Sequence, residues 1–406
     1  MNKQTCITID VSQNKSYIQG FIGPNKPISK ARVMRHSKQG FQFISKLIEI
    51  VKFNSKIDEQ PLIIFEYTGV YHKTLEKFLI ANKYNYFMVS PLRAAKMRNS
   101  EIRPQKTDSL DCLNLAKMFY NNNLGEFYNE DETYEALRTL DHYYATNMKH
   151  LIKIKVNFKE TLAIVYPNYK SLFINAYSND SFAFLKLFPH PNDVLKHPEE
   201  KIVMLLNNVW NHKIEWTKSK VHDIYLKIQN MVSGCTRNNL YPIMLLDYIQ
   251  QLEYYSNMIE KIIVQMKELA VELPLYNLVH SIPGIQDILT VRFIAEIGDI
   301  NRFSNPKQMT AYAGLDPMIR QSGIISGDHL QISKKGNSLL RMILFQMVSS
   351  LIKKSNADNA IRDKYKKRTQ QYKILAPKVA SMACANQLLR IIFYMHKTGS
   401  VYEYRS

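Results

Sequence analysis

The sequence predicts an α/β block at the N-terminus followed by a remainder built of helices. Three patterns carry this reading. Short β-branched runs alternate with helical stripes up to about residue 120, two long stretches repeat apolar residues every three or four positions, and Gly- and Pro-marked turns separate helical segments after residue 275. The boundaries so drawn are 1–125, 126–275 and 276–406.

The first block justifies itself element by element. Thr5–Val11 (TCITIDV) alternates apolar and polar positions and is rich in β-branched residues, as a half-buried strand is. Ser16–Ile22 follows the turn-like QNK, and Ala31–Met34 supplies a third short strand. Phe41–Phe53 places apolar residues at 41, 44, 47, 48 and 51, the spacing of one helical face. Pro61–Glu66 (PLIIFE) reads as a buried strand, Tyr71–Ala81 as a helix and Tyr86–Ser90 (YFMVS) as a strand ending at Pro91. Thr107 is a suitable N-cap for a helix from Asp108 to about Tyr120. The order β-β-β-α-β-α-β-α fits an RNase H-like fold.

Composition narrows the function class. The chain of 406 residues carries 54 Lys+Arg against 35 Asp+Glu, net +19, with 46% hydrophobic and 22% charged residues. That is a globular composition with length for more than one domain. The charge is uneven: residues 1–120 are net +10, residues 301–406 net +13, and the stretch between is net −4. Two basic ends flanking an acidic middle are the electrostatic footprint of a polyanion binder, here nucleic acid. Cys6, Cys112, Cys235 and Cys384 are far apart and form neither a CxxC pair nor a disulfide framework. The opening MNKQTCITIDV lacks signal-peptide order, and no apolar run approaches a membrane span. A cytoplasmic, nucleoid-associated protein with no membrane partner is therefore expected.

Four acids fall where phosphodiester chemistry needs them. Asp10 lies in the first strand, an unfavourable place for an Asp without a task. Glu66 closes the short apolar strand, and Asp108 and Asp111, three apart at a helix start, share one face. Two-metal catalysis wants carboxylates converging from several elements around ions roughly 4 Å apart, and Mg²⁺ prefers such oxygen ligands. Singly, each acid has an ordinary explanation, as a helix-start acid or a strand-end turn residue. It is their combination that points to a metal site.

The middle region reads as helices with an apolar seam. Between Pro242 and Pro274 the residues Leu245, Tyr248, Leu252, Tyr255, Ile259, Ile262, Met266, Leu269 and Leu273 alternate spacings of three and four, as in a coiled coil. A weaker seam runs from Leu137 through Tyr144, Asn147, Leu151 and Phe158 to Val165. The pattern fits an antiparallel pair within one subunit and a dimer equally. Pro167, Pro189, Pro191 and Pro198 interrupt regular structure between the seams, and His190, His197, His212 and His222 lack ligand spacing and read as surface residues.

The C-terminal block holds the second chemical candidate. Ser281-Ile282-Pro283-Gly284-Ile285 before a helix resembles a helix-hairpin-helix, whose glycine turn grips phosphate, although Gln286 stands at the usual second glycine; a plain packing turn is the other reading. Next come AYAGLDP (311–317), Arg320-Gln321-Ser322-Gly323 and ISKKGNSLLR (332–341). Ser322 sits among Arg320, Lys334, Lys335 and Arg341, cations able to hold a phosphate and offset its charge. No nearby His is placed to activate the hydroxyl.

The ordered set ITIDVSQNKSYI, FEYTGVYH, KTDSLDCLNLAKM, SIPGI, AYAGLDP, QSG and ISKKGNSLLR, spread from residue 5 to the C-terminal region, resembles the DEDD-type insertion-sequence transposases, relatives of Piv-type DNA invertases described as RNA-guided bridge recombinases. The resemblance implies a RuvC-like N-terminal domain, a coiled-coil region and a C-terminal transposase domain. It assigns Asp10, Glu66, Asp108 and Asp111 to a metal-binding tetrad and Ser322 to the nucleophile that links covalently to DNA. It further implies Mg²⁺, donor and target DNA, a structured non-coding guide RNA, and a homo-oligomer, dimer or tetramer. Two positions depart from the family pattern: Gln13 replaces a lysine, and Ile324 follows Gly323 where a second glycine is usual. The alternatives are a RuvC-like nuclease or Holliday-junction resolvase, and an inactive copy that only binds nucleic acid.

Overall fold

The computed structural model describes residues 5–67, 70–89, 94, 108–124, 131–318, 331–371 and 375–404, with the backbone alone at 108 and 109. The chain forms two compact units, residues 1–129 and 130–406.

The first unit is built on five strands, β1 (Cys6–Val11), β2 (Lys15–Phe21), β3 (Arg32–Arg35), β4 (Leu62–Glu66) and β5 (Tyr86–Val89). They form one sheet in the order β3-β2-β1-β4-β5. β2 runs antiparallel to both neighbours, whereas β1, β4 and β5 are mutually parallel. A short hairpin turn joins β1 to β2, and a longer loop, residues 22–31, joins β2 to β3. The parallel strands need crossovers, and α1 (Lys38–Ser55) and α2 (Lys73–Ala81) supply them. Ser37 caps α1 by accepting from the Gly40 N–H at 3.1 Å. Ile7, Ile9, Ile63 and Phe65 share a core with Phe41, Ile44, Leu47, Val51, Leu75 and Leu79. Cys6, Ile64 and Val89 pack on the opposite side against Leu115, Ala116 and Met118 of α3 (Asp108–Tyr120). Each expected strand and helix of this unit is present, with no end shifted by more than three residues; Thr107 lies outside the described residues.

The second unit is helical. Its longest members are α4 (Glu132–Val165) and α9 (Tyr241–Ala270), which pack on each other within the chain. Tyr143 reaches Met258 at 3.7 Å, and His150 stacks on Tyr255 at 5.6 Å. Rising numbers on one helix thus meet falling numbers on the other, so the pair is antiparallel. Leu245, Ile249, Leu252, Ile259, Ile262, Met266 and Ala270 are the buried positions of α9. Leu269, expected in the seam, is 37% exposed while Ala270 is sealed. A straight helix of 3.6 residues per turn drifts off a strict heptad, and the burial follows the drift.

Residues 166–241, expected to be broken early by prolines, form α5 (Asn179–Leu187), α6 (Pro191–Leu195), α7 (Glu199–Asn207) and α8 (Ile214–Gln229). Pro191 sits in the first turn of α6 and Pro198 caps α7, where a missing N–H costs nothing. The surface assignment of His190 is overturned: the ring is 1% exposed, lies 3.0 Å from the Cys235 carbonyl oxygen and accepts the Asn192 N–H at 3.1 Å. A neutral imidazole that bonds both ways is readily buried. His212 and His222 are surface residues facing Asp180 at 2.9 Å and Glu199 at 3.0 Å.

Then follow α10 (Pro274–His280), α11 (Asp287–Ile297), α12 (Pro306–Tyr312), α13 (Ser338–Leu351), α14 (Ala360–Lys366) and α15 (Pro377–Thr398). One apolar core runs from Leu137 through the α4–α9 pair to Leu388 and Met395. No helix among the described residues is long and apolar enough to cross a membrane.

Candidate active site

The sheet decides where the acids of the first unit point. In β1 the residues Ile7, Ile9 and Val11 face the α1–α2 core, so Asp10, like Cys6 and Thr8, faces α3. In β4 the same alternation turns Glu66 toward α3. Ile9 pairs with Phe65 across the parallel β1–β4 ladder, and one further residue of that register sets Asp10 beside Glu66. Both lie at the C-terminal ends of their strands, where open parallel sheets bind ligands.

Helix α3 packs across β1 and β2 and carries Asp111 in its first turn. Cys112, next in sequence, anchors it: its Sγ lies 3.3 Å from the Tyr17 carbonyl oxygen. Burial pushes the Cys112 thiol up to about 12, and the negative charges of Asp10 and Asp111 add to the shift. Glu66 is 9% and Asp111 6% exposed. Asp10 and Glu66 thus face the side of the sheet on which α3, bearing Asp111, packs. The side chain of Asp108 lies outside the described residues.

Oxygen donors alone suit a hard divalent cation rather than zinc or copper, so the donor chemistry fits the metal that the acids were expected to hold. Among the described residues, no three His, Cys, Asp or Glu side chains stand close enough together to hold a metal ion. Cys6 is sealed from any such role, its thiol pushed up to about 12 by burial.

In the second unit Ser322 and Arg320 lie outside the described residues, but the chain on either side is well defined. The Met318 N–H donates to the Gln331 carbonyl at 2.7 Å, and Pro317 bridges to Ile332. Residues 317–318 and 331–332, which flank the stretch containing Ser322, are thus paired with each other. Beyond it the ISKKGN loop folds back onto the end of α12. Ser333 donates to Asp316 at 2.6 Å, and Lys334, at φ 55°, gives its N–H to the Gly314 carbonyl at 3.1 Å. A Cβ on Gly336 would stand 2.3 Å from the Tyr312 carbonyl oxygen and 2.4 Å from the Gly314 nitrogen, so only glycine permits this approach. Lys334 and Lys335 are exposed. Arg341 is half-buried, with Nη1 donating to the Ala313 carbonyl at 2.8 Å.

Asn337 caps α13, accepting from the N–H groups of Leu339 and Leu340 at 2.9 Å each. Its amide donates to Glu296 Oε2 at 2.5 Å. Glu296, on α11, is fully buried, and burial raises its carboxyl above the usual range, with Asp141 adding to the shift. This buried support escaped sequence reasoning. Its visible sign was an Arg and a Glu inside the apolar run VRFIAEIGD. The SIPGI turn takes the packing role: Gly284 has φ 91°, its carbonyl accepts from Ser350 at 2.6 Å, and Ile282 and Ile285 enter the core.

Two family models match the chain. One, for DEDD-type IS110 transposases, covers residues 7–167. The other, described as the transposase IS116/IS110/IS902 family, covers residues 276–366. The chain is 35% identical over 78 residues to the transposase for insertion sequence element IS1111A of Coxiella burnetii, 18% of this chain and 20% of that protein. It is 36% identical over 67 residues to the putative transposase y4qE of Sinorhizobium fredii, 16% of this chain and 17% of that protein. These two matches span about a fifth or less of either relative. A longer similarity, 21% identity over 342 residues, covers 84% of this chain and 81% of the pilin gene-inverting protein of Moraxella bovis. Two family matches in the expected order, together spanning more than half the chain, include the carboxylates and the serine loop: the chain belongs to the DEDD-type insertion-sequence transposases.

Proposed function

We propose that this protein is a site-specific DNA recombinase of an insertion sequence, which cuts and rejoins DNA through a serine–phosphate link with the help of a divalent metal. The observation that carries the reading is that Asp10 and Glu66 face the side of the sheet on which α3, with Asp111 in its first turn, packs. The strand order β3-β2-β1-β4-β5 with a reversed β2 supports an RNase H-like, RuvC-like frame for these acids. Asp10, Glu66, Asp108 and Asp111 would hold the metal, taken as Mg²⁺, which supplies Lewis-acid stabilisation of charge at the reacting phosphate.

The remaining steps belong to the chain. The Ser322 oxygen attacks phosphorus, losing its proton to a base; the new Ser–O–P bond forms as a P–O bond to deoxyribose breaks, and the released sugar hydroxyl takes a proton. The phosphodiester energy is thereby kept, so a second sugar hydroxyl attacks the same phosphorus, expels the serine oxygen and reseals the strand. Arg320, Lys334, Lys335 and Arg341 would hold the phosphate. A net charge of +19 supports binding to DNA and to a structured guide RNA. The guide RNA itself rests on the family resemblance, as does the setting, the nucleoid. Exposed Ile152 and Val156, one turn apart on α4, support a further protein contact in a homo-oligomer, dimer or tetramer.

The test is denaturing electrophoresis of the protein with labelled donor DNA and Mg²⁺, followed by peptide mapping of the adduct. Ser322→Ala loses the adduct and recombination. Cutting that persists in this variant with no protein attached gives the site to a hydrolytic nuclease. Wild type that binds DNA but neither cuts nor links marks an inactive copy.

A further inference from the structure

The second unit contains a groove of about 1110 Å³ between the ISKKGN loop, the α14 region and α15. Five cations line it, Lys334, Lys364, Arg368, Lys378 and Arg390, and among the described residues no Asp or Glu does. Among the described residues none of the five forms an ion pair. Arg368 sits in a π-helical turn, residues 367–371, after α14, a rare geometry found often at functional sites. Burial lowers the Lys364 ammonium from its usual range, and the nearby charges of Arg368 and Arg390 press it further down. Like charges gathered in this way repel until an anion separates them.

The size of the groove selects among anions. Lys378 and Arg390 lie twelve positions apart on α15, about 18 Å at 1.5 Å per residue. That span exceeds a free phosphate and matches several nucleotides at about 3.4 Å of rise each. The floor is apolar, with Val379 and Met382 between the cations and the amide of Gln387 beside them. A charged wall that follows phosphates, over a floor that receives sugars and bases, is the arrangement that holds a single strand.

Position selects the occupant. Gln331, Ile332 and Lys334 line the groove, and Gln331 and Ile332, tied to Met318 and Pro317, stand nine and ten positions after Ser322 in the sequence. We infer that this groove holds the DNA strand being cut, as a single strand, next to its scissile phosphate. The inference deepens the recombinase reading and rests on it for the identity of the strand.

The experiment uses the full chain with Lys364→Gln, Arg368→Gln and Arg390→Gln combined. Fluorescence anisotropy measures binding of labelled oligothymidylate over a salt series, with oligouridylate as the second arm. The expected result is at least a tenfold weaker DNA affinity and a salt slope shallower by about two, from about 0.7 per phosphate contact, with an unchanged thermal melt. Unchanged affinity and slope in a folded variant overturn the groove. Loss confined to oligouridylate also overturns it, since the occupant is then RNA. Should the triple variant melt without cooperativity, Lys378→Glu, at an exposed position on α15, gives the same reading. A protein that binds DNA through the groove but forms no Ser322 adduct keeps the groove and sinks the serine chemistry; an adduct with no groove dependence does the reverse.

Discussion

Arg292 of α11 places its Nε 2.6 Å from Oδ1 of Asp141 on α4, with both side chains almost wholly shut off from water, 4% and 0% exposed. The guanidinium also donates to Gln346 at 3.1 Å and lies 4.5 Å from the Tyr144 ring centre. One charged pair thus joins α4, which opens the second unit, to α11 and α13 beneath the ISKKGN loop.

Asp141→Ala leaves this guanidinium buried without its anion. Removing one partner of such a pair costs about 3–5 kcal/mol. Replacing both, as Asp141→Leu with Arg292→Met, restores most of that loss, because apolar neighbours of similar volume avoid the desolvation of two ions. Urea unfolding of the two single variants and the double checks this. Equal and additive losses would show that the pair is not coupled.

Glu296→Gln changes the pH dependence of stability. Burial raises the Glu296 carboxyl in the folded state, and Asp141 shifts in the same direction. A raised carboxyl contributes stability below its unfolded value, about 4.3, and that contribution is lost as pH rises through the folded value. The contribution of Glu296 to stability therefore falls as pH climbs out of the acid range. Glutamine still accepts from Asn337 but does not titrate, so its urea midpoint declines less steeply over the same range.

Asp10→Asn and Asp108→Asn each abolish Mg²⁺-dependent strand cleavage while leaving nucleic-acid affinity within a few fold, since the basic surface supplies most of the binding. Cleavage assays paired with gel shifts read the two effects separately. Full cleavage by both variants removes the metal-site assignment.

Leu252→Glu combined with Ile259→Lys unfolds the helical unit. The two native side chains are 2% and 7% exposed within a single chain, so the introduced charges enter that chain's own core. Circular dichroism should show lost helix at temperatures where the wild type is intact. Smaller particles with undiminished helix would return the seam to a subunit interface.

Gly336→Ala forces a methyl against two backbone atoms that cannot rotate away. Overpacking of this kind costs about 1–3 kcal/mol. It also displaces Lys334 and Lys335, so melting temperature and DNA affinity should fall together.

The sheet was legible because period-two runs of Ile, Thr and Val have few other uses, and the parallel ladder then set Asp10 and Glu66 side by side. The seam was legible as burial but not as partnership: Leu245 to Met266 look the same whether the facing helix is α4 or another subunit. His190 escaped because a lone histidine shows no sign of the carbonyl it will meet. The basic groove escaped because its cations come from three elements that only tertiary packing brings together. The chain breaks at Pro167, Pro189, Pro191 and Pro198 as read, but proline also starts a helix without cost, and sequence position alone did not show that Pro191 and Pro198 open new helices.

β3 is the outer strand of the sheet beside β2. Arg32 and Arg35 stand exposed along it, and a second molecule approaching by the same edge would bring the same positive charges against them. Charged side chains on a border strand are how soluble proteins prevent end-on growth of their sheets. Accumulation of this chain at high local concentration therefore does not proceed by strand addition at β3, and whatever copies assemble must meet through other faces.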